Sequence, residues 1–149
     1  MGISTTASQF NSALGKMVHR TTAADPQNVW LPLFTITGMV IFTGLMARRT
    51  VIQAGGASTM QFRHSAVPTI LDDGTLAITG DVADTVYSCD FDPTDPIISA
   101  VGTVPGAIAP FGLTVDGDIE VTMTAVAGTG SMEYWVAYIP VNGGYVVAV

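Results

Sequence analysis

The feature that most constrains this chain is an uncharged run of nineteen residues, Val29–Ala47, closed by Arg48 and Arg49. An apolar helix of that length could cross a bilayer. The order within the run argues for strands instead. Pro32, Gly38 and Gly44 interrupt it, and Thr35, Thr37 and Thr43 place hydroxyls inside it. Leu33, Thr35 and Thr37 alternate with Phe34 and Ile36, the period of two that a pleated strand imposes. The spacing predicts two strands, Trp30–Thr37 and Met39–Gln53, that meet at Thr37-Gly38.

The rest of the chain continues the pattern. Strands are expected at Thr59–Ser65, Thr75–Thr79, Thr85–Phe91, Ile97–Val101, Ile108–Val115, Ile119–Val126, Met132–Ile139 and Tyr145–Val149. Turn chemistry separates them at Gly55-Gly56, Asp72-Asp73-Gly74, Asp92-Pro93, Pro105-Gly106, Asp116-Gly117, Gly128-Thr129-Gly130 and Asn142-Gly143-Gly144. Recurrent turn signals in a chain of 149 residues fit one all-β domain, a β-sandwich or jelly-roll-like barrel. The clearest expected element is a C-terminal hairpin of Ile119–Val126 with Met132–Ile139. Both faces of its second strand are largely apolar, so that strand should be covered on both sides or meet a neighbouring subunit. The apolar end Tyr145–Val149 should be paired, in its own sheet or with another copy.

Residues 1–28 have a different composition, rich in Ser, Thr, Ala, Gln and Asn. They read as an extended N-terminal arm preceding a β-domain of residues 29–149. Gln9–His19 could form a short helix within it, and Asp25-Pro26 marks a turn. The arm lacks the apolar core of a secretory leader.

Charge is scarce and divided. Charged residues are 11% of the chain, where a soluble domain carries about 25%. Such a surface suits a protein covered by neighbours or by lipid. All five cations (Lys16, Arg20, Arg48, Arg49, Arg63) lie in the first 63 residues, with one acid, Asp25. Eleven acids and no Lys or Arg follow. This division argues against a nucleic-acid partner, because the acidic part would repel phosphate. It allows the basic part of one copy to dock on an acidic surface of another chain; solvation of an acidic domain is the competing explanation.

Nothing in the sequence carries enzyme chemistry. One Lys, one Cys and two His make a poor inventory, and nucleophile-elbow, phosphate-loop, dinucleotide and zinc-protease patterns are missing. Cys89 beside Asp90 reads as a small buried hydrophobe. Asp90, Asp92 and Asp95 could hold Ca²⁺, with help from Asp81 or Asp84, but Asp-Pro turns explain them without a metal. The expectation is no cofactor and no metal. Trp30, Trp135, Tyr134 and Tyr138 read as core or interface anchors.

Three segments together carry a resemblance. They are Leu31–Leu45 with Thr50–Ala54, then Leu76–Asp81 with Val86-Tyr87, and Asp118–Thr122 with Thr129–Val141 and Gly143-Gly144. Over about residues 29–149 the pattern resembles small virion proteins of tailed bacteriophages; the arm falls outside it. The resemblance implies a capsid decoration, or cement, protein. Such a protein is a β-domain, often a homotrimer, that sits on the capsid surface of the virion, binds the major capsid protein and ties capsomers together. A head-fibre base, spike or tail component, a membrane-anchored protein using residues 29–47, and a glycan-binding module using the aromatic cluster are the alternatives. Lys16, Arg20, Arg48, Arg49, Trp135 and Tyr138 are the expected partner contacts.

Overall fold

The structure, a computed structural model, describes residues 15–52, 58–66, 69–72, 74, 76–89, 98–101, 113–114, 116–124 and 130–149. They form an all-β fold. The strands are β1 (Lys16–Thr22), β2 (Leu31–Val51), β3 (Thr59–His64), β4 (Thr69–Ile70), β5 (Thr85–Cys89), β6 (Ile98–Val101), β7 (Leu113–Thr114), β8 (Gly117–Thr124) and β9 (Ser131–Ala148). All belong to one antiparallel sheet with the main order β1-β9-β2-β8-β3-β4. β5 pairs with the end of β2 and with β6, and β7 pairs with the middle of β2. The sheet is not closed into a barrel.

Four expectations are corrected. The two strands expected on either side of Gly38 are one continuous strand of 21 residues. The expected C-terminal hairpin does not form, because β2 lies between β8 and β9 and takes the ladder bonds of both. Asn142-Gly143-Gly144 is not a turn between strands but an irregularity inside β9, where Thr37 pairs with Tyr145 and Met39 with Val141. Residues 16–19, expected at the end of a helix, lie in β1, which pairs with β9 from Lys16↔Tyr138 to Thr22↔Met132. The cross-strand ladder supplies their backbone partners, and this outweighs a weak helical periodicity. Residues 9–14 of that helix lie outside the described residues.

The period-two reading of β2 holds, with a phase change. Phe34, Ile36, Val40 and Phe42 point into the core, and so do Leu45, Ala47 and Arg49. The parity changes because the register slips between Phe42 and Gly44, where Thr43 is the extra residue of a bulge.

β2 is also bent. Straight, the stretch from Leu31 to Arg49 would run about 60 Å at about 3.3 Å per residue. Yet Arg49 Nη1 is 2.9 Å from Asp25 Oδ2, and the six residues from Asp25 to Leu31 span at most about 21 Å. The chain after β1 also reaches β8: Asn28 N–H donates to the Met123 carbonyl, and Met123 N–H donates to the Pro26 carbonyl. Both ends of β2 are therefore tied to one short segment, and the strand doubles back. The bend carries β3 across the core from β9, where Phe62 meets Tyr134 edge-on with ring centroids 6.3 Å apart. In a flat sheet three strand spacings, about 14 Å, would separate them.

The core lies inside this fold and is built by Leu33, Phe34, Ile36, Leu45, Phe62, Ile119, Val121, Tyr134 and Val136, with Tyr87 and Ile78 at one end. Cys89 is buried among them, as expected of a small hydrophobe. At the bend, β9 crosses β2 so closely that a Cβ on Gly144 would overlap the main chain of Met39. Gly144→Ala is expected to lower stability by an amount toward the upper end of about 1–3 kcal/mol, read from denaturant midpoints. An unchanged midpoint would show that the crossing is loose.

Candidate interaction surface

Adjacent residues of a strand point to opposite faces, so Arg48 and Arg49 cannot share a side. Arg49 turns inward. Its side chain is 0% exposed and is held by Asp25, by the Tyr87 hydroxyl at 3.3 Å and by Met132 Sδ at 3.8 Å. Tyr87 in turn donates to Asp81 at 2.7 Å. Burial alone would lower the Arg49 pKa, but the bonds with Tyr87 and Asp25 outweigh it and the net shift is upward, so the cation persists. Gly130 closes this site, since a Cβ there would collide with both Asp25 and Arg49. The result is a clasp: one buried ion pair joins the segment after β1 to β2, with β5 and β9 alongside.

Arg48 turns outward. Its guanidinium meets Glu133 Oε2 at 2.5 Å through Nη2 and 3.0 Å through Nε, and Asp84 at 3.8 Å. It also lies 5.9 Å from the Trp135 ring centre. On the other side of Trp135, His19 stacks at 4.9 Å and reaches Glu133 at 3.8 Å. Met17, Met46, Arg48, Val86 and Trp135 line an open groove of about 260 Å³ on this outer face. Met17 is 66% exposed, a large value for an apolar side chain in a strand. Strand alternation explains the patch: Met17, Trp135, Met46 and Val86 sit on the outward positions of β1, β9, β2 and β5, side by side.

The expected contact residues separate accordingly. Trp135 and Arg48 stand together on the outer face, and Lys16 is exposed at the start of β1. Arg20 is partly buried and donates to the Pro32 carbonyl. Arg49 and Tyr138 are corrected: both are buried, Arg49 in its ion pair and Tyr138 in the core, and neither can touch a partner while the fold is closed. Met17, Met46 and Val86 were not among the expected contacts. Their signal was available, since apolar residues on both faces of Met132–Ile139 implied a second covered face.

Most of the basic charge of the first 63 residues is met in space by acids of the same chain. Besides Arg48–Glu133 and Arg49–Asp25, Arg63 pairs with Glu120 at 2.5 Å and lies 4.1 Å from the Trp30 ring centre. Three of the four arginines are thus engaged by acids from the same chain. Asp90, Asp92 and Asp95 lie outside the described residues. Asp81 and Asp84, their suggested helpers, face Tyr87 and Arg48. No group of three metal-ligating side chains occurs among the described residues, and no helix among them is long and apolar enough to cross a membrane.

No family model matches the chain, no curated protein matches it, and no solved structure matches it.

The two arginines should behave differently on truncation. Arg49→Ala leaves a buried carboxylate without its cation and is expected to cost about 3–5 kcal/mol, whereas Arg48→Ala should cost about 1 kcal/mol or less. Equal losses in urea unfolding would contradict the inward and outward assignment.

Alkaline pH supplies a further test. Burial pushes the hydroxyls of Tyr87 and Tyr134 well above the usual phenol range. Hydrogen bonding to Asp81 adds to this at Tyr87, against the opposing bond from Arg49; the Asp25 charge adds to it at Tyr134. The folded state therefore holds these protons more tightly than the unfolded chain. Their contribution is complete below about pH 10 and is lost as pH rises beyond it. Tyr134→Phe is expected to make the decline in unfolding midpoint above about pH 10 shallower. An identical decline would show that Tyr134 ionises as readily folded as unfolded.

Proposed function

We propose that this chain is a virion structural protein, a capsid cement or decoration protein that binds the outside of a phage head and stabilises contacts between capsomers. The observation that carries this reading is the outer face of β1, β9, β2 and β5: an apolar groove around Trp135 whose bordering charges are already paired within the chain. A surface of that kind favours a protein partner over phosphate or a free ion, because its gain comes from apolar burial around an aromatic anchor. The bent sheet supports a sandwich-like architecture, with β3 opposite β9. The resemblance of the sequence pattern to small phage virion proteins points to the partner class, the major capsid protein. Repetition over a shell would multiply modest contacts into firm attachment.

Purified particles that contain this chain provide the test. Their other components should include a major capsid protein. Trp135→Glu should reduce occupancy on the head by about 30-fold or more, the effect of losing a buried aromatic anchor. Particles without a major capsid protein, or full occupancy by the variant, would refute the proposal.

A further inference from the structure

Two cross-strand pairs dominate the outer face, and each is complementary. Arg48 of β2 stands opposite Glu133 of β9, and Met46 of β2 stands opposite Trp135 of β9. A second copy laid face to face, related by a two-fold axis running between β9 and β2, reverses the strand order. β2 of one copy then lies over β9 of the other. Arg48 comes over Glu133 of the other copy, and Glu133 over Arg48. Met46 comes over Trp135, and Trp135 over Met46. Every contact of this set is made twice, which is what an isologous interface requires. Sulfur against an indole and guanidinium against carboxylate are both favourable pairings.

Charge points the same way. The whole chain carries −7, so two copies repel on average. On this face Arg48 is balanced by Glu133 and Asp84. Like-charge repulsion is therefore small here. The groove on this face is lined almost wholly by apolar side chains, among them Met17, which is open to water. We propose that this face pairs with itself: two copies associate sheet to sheet through Trp135, Met46, Arg48 and Glu133. The inference rests on reading the face as a protein-contact surface and adds a second copy of this chain as its occupant in free solution; because pairing covers Trp135, the pair must open before the same face meets the capsid protein.

The test is the mass of the full-length protein in solution, by sedimentation or light scattering, from about 1 to 100 µM. The wild type is expected to reach the mass of two chains. Arg48→Glu leaves the central pair wholly acidic, and Glu133→Arg leaves it wholly basic, with Asp84 at its border. Each variant alone should pair at least tenfold more weakly. Mixed in equal amounts, the two should recover a two-chain species holding one of each. Loss of the intrachain ion pair alone cannot produce that recovery. Trp135→Ser, which leaves the charges in place, should also weaken pairing. A wild type that stays monomeric at 100 µM, that forms trimers, or whose charge variants fail to recover on mixing would overturn the inference. Particle occupancy separates it from the functional reading. A monomeric wild type whose Trp135→Glu variant is lost from heads would overturn the pair and leave the cement role standing. A wild type that pairs in solution while the chain is absent from heads would support the pair and sink the cement role.

Discussion

The bend in β2 is the constraint on which the rest of the structure depends. A strand of 21 residues has no place in a domain this small unless it folds back. Two irregularities make that possible. Near Gly38 and Met39 the partner strand sets three residues, Asn142, Gly143 and Gly144, against the single Gly38, and Gly144 has no side chain to obstruct the crossing. At Thr43 the extra residue belongs to β2 itself and reverses its facing. Phe34 and Ile36 before the slip, and Leu45 and Ala47 after it, therefore all reach one core. Without the slip, the second half would turn its apolar residues to solvent and put Arg48 into the interior in place of Arg49.

That facing also decides what the arginines do. Arg49 is carried inward, where a cation persists only with full compensation. Asp25 supplies the charge, Tyr87 an acceptor oxygen, and the bare backbone at Gly130 the space. The clasp fixes the chain just after β1 and so helps hold β1 on the edge of β9. Arg48 is carried outward into the ion pair that borders the Trp135 groove. One register slip thus links the core, the attachment of the N-terminal segment and the character of the exposed face.

Much of the all-β character was legible in the sequence because alternation is local. β3, β5, β6 and β8 fall close to the expected Thr59–Ser65, Thr85–Phe91, Ile97–Val101 and Ile119–Val126. What was not legible is pairing over long separations. Ile119–Val126 and Met132–Ile139, close in sequence and joined through glycines, look like a hairpin; only the three-dimensional ladder reveals β2 between them. Asn142-Gly143-Gly144 has turn chemistry, and the same positive-φ residues (Asn142 at 50° and Gly143 at 86°) serve here within a strand. The clasp left one usable sign. Two adjacent arginines in a strand must point to opposite faces, so one of them needs a buried acid, and Asp25 is the one acid in the first 63 residues. The outer face was half legible, through Trp135 and Arg48. Met17 was hidden by the weak helical periodicity around it.

The doubling back of β2 can be measured directly between its ends. Val29 and Ile52 flank the strand and are both exposed, at 58% and 48%. Spin labels at Val29→Cys and Ile52→Cys, in a Cys89→Ala background, report their separation by electron–electron dipolar spectroscopy. The bent strand, with Arg49 held on Asp25, predicts a distance distribution centred below about 35 Å. A straight strand over the same residues would place the labels about 75 Å apart, and a distribution near that value would contradict the bend and the shared core built on it.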